Sequence, residues 1–409
     1  MAPHEITRRD ALKITGALFG WAYTPRIASA GPSADKRFVF INLRGALDGL
    51  GAIAPVGDPA YESARSGLVL DRTSGLGLDE FFVLNPNMPV FHGLYKKGEA
   101  VALHAVASAY RDRSHFDGQD VLESGLPGVA PVRDGWLNRA LQVMTAGEKI
   151  DGADGLSIGA EMPLIMRGKA PVLTWMPPGF PQATGNTVER IQALYKLTDP
   201  HLSAALTEGL AAQSIAGDET KFAEAMASDM QGEIKGARRV FAESAAAAGK
   251  LLASQNGPRI ATISLLGWDT HAQEGLVKGR LASLLSALDG MFEILARELS
   301  ATWKDTAIVV ATEFGRTVRI NGTNGTDHGT ATVVLAAGGA IKGGRVIADW
   351  PGLSDAQLLA TRDLKPTLDL RAVLKGVLGE HLGVDETALG TLVFPDSAAV
   401  KPLEGLIRT

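Results

Sequence analysis

Six short apolar runs restrict the fold of this chain more than any other feature: Arg37–Leu43, Ala100–Val106, Pro171–Trp175, Arg259–Leu265, Ala307–Thr312 and Thr330–Ala336. They are rich in β-branched residues and apolar nearly throughout instead of alternating, which predicts strands covered on both faces. The intervening segments have helical character. Ser203–Ser254 is Ala-rich and free of proline, Lys278–Leu299 carries apolar residues at helical spacing, and Asp363–His381 supplies a further helix near the C-terminus. Strands separated by helices imply an α/β fold, a mostly parallel β-sheet with helices on both faces. The Pro/Gly-rich stretch Pro177–Gly185 predicts a turn out of the sheet, and residues 186–256 are expected to form a helical insertion on the same domain.

With 409 residues, 45% of them hydrophobic, the chain has ample material for a core. A net charge of -5 and the lack of a basic stripe exclude a nucleic-acid partner of the usual kind. Cysteine is absent, which excludes disulfides and thiolate metal sites, so any ligands must come from Asp, Glu, His, Asn, Ser or Thr. The first residues read as a leader. Thr7-Arg8-Arg9-Asp10-Ala11-Leu12-Lys13 resembles a twin-arginine signal, Ile14–Thr24 is apolar but too short to span a bilayer, and Ala28-Ser29-Ala30 has the small-x-small cleavage pattern. The expectation is a signal over residues 1–30, export by the twin-arginine translocase, a mature chain beginning near Gly31 with no transmembrane segment, and a periplasmic or secreted location.

In parallel sheets ligands bind where loops converge beyond the carboxyl ends of the strands. The first run is followed by Arg44-Gly45-Ala46-Leu47-Asp48-Gly49, and the second, slightly later, by Arg111-Asp112-Arg113-Ser114-His115-Phe116-Asp117. Trp268-Asp269-Thr270-His271 follows the fourth, Glu313-Phe314-Gly315-Arg316-Thr317 the fifth, and Thr326-Asp327-His328-Gly329 precedes the sixth. Three of the eight histidines lie in these loops, each within two residues of an Asp. Singly, each group has a plainer reading: Asp269 with His271 as a helix cap, Glu313 as the partner of Arg316, Asp327 as a turn residue after Asn321-Gly322-Thr323-Asn324-Gly325. Their coincidence at one sheet edge carries the argument. His92 and His104 lie in or near apolar segments and are read as structural, while His201 and His381 are read as surface residues. Carboxylate and imidazole without sulfur suit zinc, manganese, magnesium or calcium, and the arginines suit an oxyanion.

From about Arg37 to its C-terminus the chain resembles the bacterial domain of unknown function 1501 family. The matching pieces are Leu43-Arg44-Gly45-Ala46-Leu47-Asp48-Gly49-Leu50, Arg113-Ser114-His115-Phe116-Asp117, Gly135-Trp136-Leu137-Asn138-Arg139, the three loops around Asp269, Glu313 and Asp327, Lys342-Gly343-Gly344-Arg345-Val346 and Asp349-Trp350-Pro351-Gly352. That family looks related to the alkaline phosphatase and sulfatase superfamily. The resemblance implies an alkaline-phosphatase-like sheet, Asp269 and His271 as the pair of one metal position, Asp327-His328 as the late histidine segment, Glu313 at a strand-end acid position and Ser114 in the region of the nucleophile. Three departures stand out: Phe314 where His or Asn is common, Arg44 where an Asp ligand is expected, and the tight spacing of Asp269 and His271. Together they imply a single metal ion instead of a two-metal clamp.

The expected function is therefore an exported, metal-dependent hydrolase of phosphate or sulfate esters. Asp269, His271, Asp327 and His328 would hold the metal, with Asp48, His115 and Glu313 as further candidate ligands. Ser114 would attack or orient the ester, and Arg44, Arg113 and Arg316 would neutralise the oxyanion. The alternative is a non-catalytic periplasmic protein on the same scaffold that binds an anionic glycan or helps to assemble an exported structure.

Overall fold

A computed structural model describes residues 36–145, 155–159, 162–176, 203–204, 206–207, 232–255 and 257–408. The chain divides after Asp35, and all the described residues belong to the unit Lys36–Thr409. The expected signal, the Pro177–Gly185 turn, His201 and most of the 186–256 insertion lie outside the described residues.

Among the described residues the main sheet has nine strands: β1 Arg37–Arg44, β2 Ala100–Ala107, β3 Gly155–Ile158, β4 Val172–Trp175, β5 Ile260–Leu266, β6 Thr306–Thr312, β7 Thr332–Ala337, β8 Arg345–Ile347 and β9 Leu368–Asp369. Their order is β8-β2-β7-β6-β1-β5-β3-β4, with β9 also on β2. The six expected strands are present, each within two residues of its predicted bounds. Every pairing is parallel except those of β7, which runs antiparallel to both β2 and β6. The additional strands β3, β8 and β9 are too short to stand out in the sequence, and β3 opens on a glycine.

Helices cover both faces, as the all-apolar strands require. Those of two or more turns are α1 Pro89–Lys96, α2 His115–Ser124, α3 Trp136–Thr145, α4 Gly232–Ala253, α5 Arg280–Glu298 and α6 Leu370–Leu382. Successive β1 side chains divide between two cores. Val39, Ile41 and Leu43 pack with Ala245, Ala248 and Leu252 of α4 and with Leu284, Leu288 and Phe292 of α5. Phe38 and Phe40 pack with Leu137 and Leu141 of α3 and with Val373, Leu374 and Val377 of α6. Each fully buried Leu or Phe contributes about 1.5–3 kcal/mol. No helix among the described residues is long and apolar enough to cross a membrane.

The direction of β7 decides what the carboxyl edge contains. Before a parallel strand, Thr326–Gly329 would fall at the opposite, amino edge. Because β7 is antiparallel to its neighbour β6, residues 313–331 form one long hairpin connection, tied by an antiparallel bridge between Arg316 and His328. Asp363–His381 is helical only from Leu370, where the Asp369 carboxylate accepts the Arg371 N–H as an N-cap. His381 corrects the surface assignment: it lies at the end of α6 at 1% exposure, with Nε2 2.9 Å from the Arg37 carbonyl, so it pins α6 to β1. His104 is fully buried in β2, as a structural residue should be.

Candidate metal centre

Four side chains from three loops meet beyond the carboxyl edge. His115 is the first residue of α2, Asp269 and His271 follow β5, and His328 precedes β7. His328 Nε2 lies 3.0 Å from His115 Nε2, 2.9 Å from His271 Nε2 and 3.2 Å from Asp269 Oδ1. Asp269 closes the group, with Oδ1 3.0 Å from His271 Nε2 and Oδ2 3.5 Å from His115 Nε2. His115, Asp269 and His328 alone already satisfy the spacing of a metal-holding cluster.

The other ring nitrogens show why these imidazoles face one another. His115 Nδ1 is 2.8 Å from Glu313 Oε1, His271 Nδ1 is 3.2 Å from Asp327 Oδ1, and His328 Nδ1 is 3.0 Å from the Arg113 carbonyl. All three partners are pure acceptors, so each Nδ1 carries the proton and each Nε2 presents a lone pair. Three lone pairs and a carboxylate oxygen converging at about 3 Å repel one another unless a cation or extra protons lie between them. Histidines tied at Nδ1 to a carboxylate or carbonyl, with Nε2 turned inward, are the usual arrangement around a bound metal. Ligands about 2.0–2.1 Å from one ion stand roughly 3.3 Å apart at tetrahedral corners, close to the spacings found. The residues therefore fit a divalent metal.

The supporting groups are buried and committed. Glu313 accepts from the Gly45 amide at 2.9 Å and the Thr312 hydroxyl at 2.7 Å, behind His115. Burial pushes Glu313 up, but the hydrogen bonds, that to His115 foremost, leave it below its usual range. The same bond is the chief reason His115 is raised, against the effect of burial. Burial likewise opposes the ionisation of Asp269, yet the adjoining His328 ring and the Arg316 guanidinium hold it well below the ordinary value. Asp327 is lowered mainly by its bond from Asn321. Gly45 is required where it stands: its φ is +124°, and a Cβ there would come 2.5 Å from the Asp269 amide nitrogen. Gly325 allows the hairpin to lie against the His271 carbonyl, where a Cβ would meet the backbone at 2.4 Å.

The other expected site residues are distributed as follows. Arg316 is fully buried and donates to Asp269 Oδ1 at 2.5 Å and to the hydroxyl and carbonyl of Thr326, so it supports a ligand instead of facing an anion. The Arg113 guanidinium pairs with the buried Asp363 at 2.8 Å, while its carbonyl holds His328. Arg44 contacts Glu123 at 3.0 Å and keeps about a third of its side chain exposed. Asp48 is not brought to the cluster, because its carboxylate is engaged by the buried Arg65. Ser114 immediately precedes His115 at the N-cap of α2. Its amide donates to Tyr110 Oη, and its hydroxyl has no hydrogen-bond partner among the described residues. Phe314 is buried and stacks on His115 with ring centroids 5.1 Å apart, so it shapes the cluster as a wall. Sequence reasoning missed the buried acids Glu274 and Asp363 and the buried Arg65, which stand in segments with no motif to mark them.

Comparison with known proteins adds the following. The sequence model of a family described as "Protein of unknown function (DUF1501)" matches residues 104–393 of the 409. No curated protein matches the chain. Among solved structures, the phosphonate monoester hydrolase of Silicibacter pomeroyi is 11% identical, with 90% of this chain and 78% of that one covered and a TM-score of 0.43. The phosphonate monoester hydrolase of Agrobacterium radiobacter is 12% identical over 90% and 78%, with a TM-score of 0.38. A protein in the alkaline phosphatase superfamily from Vibrio parahaemolyticus is 12% identical over 90% and 70%, also with a TM-score of 0.38.

Proposed function

We propose that this chain, which belongs to the DUF1501 family of proteins of unknown function, is an exported, divalent-metal-dependent hydrolase of phosphate or sulfate esters. The observation that carries the reading is the convergence of three imidazole Nε2 atoms and the Asp269 carboxylate, each imidazole being held from behind by an acceptor on Nδ1. His115, Asp269, His271 and His328 are the proposed ligands, with Glu313, Asp327 and the Arg113 carbonyl behind them. Three imidazoles favour zinc or manganese over magnesium or calcium, which prefer all-oxygen shells. A bound ion would supply Lewis-acid polarisation of an ester oxygen and lower the pKa of a coordinated hydroxyl.

The remaining work falls to the chain itself. Ser114 stands at the N-cap of α2, next to the ligand His115, where amide N–H groups and the helix dipole favour negative charge. Its unpartnered hydroxyl suits a nucleophile or an oxyanion ligand. Each of the three arginines is engaged by a carboxylate, Arg44 by Glu123, and oxyanion neutralisation falls to Arg44 because its side chain is the most exposed of the three. Gly45, the residue after Arg44, donates its amide to Glu313 and lies against the Asp269 backbone. The Arg-Arg pair at Arg8-Arg9 and the Ala28-Ser29-Ala30 pattern support export through the twin-arginine translocase and a periplasmic or secreted location.

The test is metal content by mass spectrometry on purified protein and on the Asp269→Ala, His328→Ala double variant, followed by assays with aryl phosphate, phosphonate and sulfate esters. Near-stoichiometric metal lost in the variant, together with ester turnover abolished by Ser114→Ala, is expected. A folded parent protein without affinity for added zinc or manganese would overturn the metal-hydrolase reading. A metal-loaded parent that turns over none of the esters would favour a binding protein on this scaffold.

A further inference from the structure

A group of buried charges below the cluster has no part in the scheme above. Glu274 and Arg65 are fully buried and Asp48 is 1% exposed. The Arg65 guanidinium is engaged on one side by Asp48 and on the other by the carbonyls of Thr317 and Val318 in the hairpin connection. Glu274 accepts from the Thr270 hydroxyl through Oε1 and from the Thr326 hydroxyl through Oε2, both at 2.9 Å. These threonines sit at telling positions. Thr270 separates the ligands Asp269 and His271, and Thr326 stands two residues before the ligand His328. The Thr326 hydroxyl also accepts from Arg316 Nε at 3.1 Å, and the same guanidinium donates to Asp269 Oδ1 at 2.5 Å.

We infer that Glu274 is a positioning residue that clamps the Asp269–His271 loop to the Thr326–His328 segment and thereby sets the spacing of the metal ligands. The inference rests on the metal-centre reading above. Two hydrogen-bond routes lead from this one carboxyl group: directly to the side-chain hydroxyl of Thr270, between Asp269 and His271, and through Thr326 and Arg316 to the Asp269 carboxylate itself. The two segments come from distant parts of the sequence. Further direct ties between them exist: the Thr326 amide donates to the Thr270 carbonyl at 3.2 Å, and Asn321 and Thr323 bond the His271 carbonyl. Glu274 adds a tie that includes Asp269, the one carboxylate ligand. The segment carrying Glu274 is fixed in turn, since its amide donates to the Asn324 carbonyl and its carbonyl accepts from the Leu281 amide at the start of α5. Burial is the largest influence on Glu274 and raises it, Asp48 raises it further, and Arg65 opposes both. A neutral amide of the same shape can therefore replace it: the amide oxygen accepts from one threonine, and the amide N–H₂ donates to the other, whose hydroxyl turns.

The test uses the full-length protein stripped of metal and titrated with Co2+, with affinity read by calorimetry and ligand geometry read from the visible d–d spectrum. Glu274→Gln is expected to bind Co2+ within about threefold of the parent, because both threonine bonds are kept. Glu274→Ala is expected to bind about 10- to 100-fold more weakly, the size seen when a group supporting metal ligands is removed, and to shift the visible spectrum. Thr270→Val and Thr326→Val, which remove one arm each without changing side-chain volume, give the same signature at smaller size and serve if Glu274→Ala does not fold. A Glu274→Ala protein, or the two Val variants in its place, with parental affinity and spectrum would overturn the positioning role while leaving the metal centre intact. A folded parent that fails to bind Co2+ would overturn the metal-centre reading and this inference with it.

Discussion

Acidification should unfold this protein in part through one histidine outside the cluster. His104 lies in β2 at zero exposure, where Ala105 has a φ of +56° and the pairing with β7 shifts register. Its Nδ1 accepts the Ala105 N–H at 2.8 Å, and its Nε2 is 3.0 Å from the Ile53 carbonyl, to which it donates. Both nitrogens are thus satisfied only in the neutral ring protonated at Nε2. A second proton on Nδ1 would point at an amide hydrogen, and burial pushes the pKa from 6.5 down to about 4. In the unfolded chain the ring titrates near 6.5. Above pH 6.5 it is neutral in both states and the full stability is present. Below that, the unfolded chain takes up a proton that the folded chain refuses, so stability falls as pH drops from 6.5 through 4. At about 1.4 kcal/mol per pK unit, a shift of roughly 2.5 units amounts to about 3 kcal/mol. The stacked ring of Phe82, its centroid 5.5 Å away, returns part of this by cation–π attraction. The measurement is urea unfolding at pH 7, 6, 5 and 4 for the parent and for His104→Gln. The difference between the two proteins cancels the other titrating groups, and the parent should lose about 2–3 kcal/mol more than the variant over that range. Parallel curves for parent and variant would refute the reasoning.

Three further outcomes follow from particular contacts. Glu313→Gln removes the charge behind His115 while keeping an acceptor, and should weaken zinc binding about 10-fold in a calorimetric titration, with His115 titrating lower by NMR. Gly45→Ala forces a Cβ into the space beside the Asp269 amide at a φ that L-residues avoid, and should lower unfolding free energy by more than about 2 kcal/mol in urea titration. Phe292→Ala opens a cavity in the core between β1 and α5, and should cost about 3–5 kcal/mol in the same assay without altering metal stoichiometry.

The contrast between what the sequence discloses and what it conceals follows from the kinds of residue involved. The strands were legible because a sheet covered on both faces needs unbroken apolar runs, and Phe38–Leu43 or Ala307–Ala311 can hardly be read otherwise. The short strand Gly155–Ile158 and the polar opening of α2 carry no such pattern, and they form because neighbouring elements impose them. Within the site, the side chains brought together come from motifs that combine His with Asp, and these were visible. What could not be read was rank. Glu313, Asp327 and Arg316 sit behind the proposed ligands, and Asp48 is drawn off by Arg65, because an acid's role depends on which partner the fold sets opposite it.

The Asp327-His328 segment meets the other loops for a reason that its own residues do not state. A segment placed before a strand reaches the carboxyl edge only if that strand runs backwards. The sequence does hold the sign of it. A parallel crossover needs a dozen residues or more, usually as a helix, whereas residues 313–331 carry no helical pattern and hold two Asn-Gly steps, at Asn321-Gly322 and Asn324-Gly325. Such a connection between adjacent strands points to an antiparallel pair. Once β7 is reversed, the antiparallel bridge of Arg316 with His328 fixes both residues by backbone pairing. The imidazole and the guanidinium that meet at Asp269 are then held opposite one another by that bridge, and the loop between them is left to pack against His271.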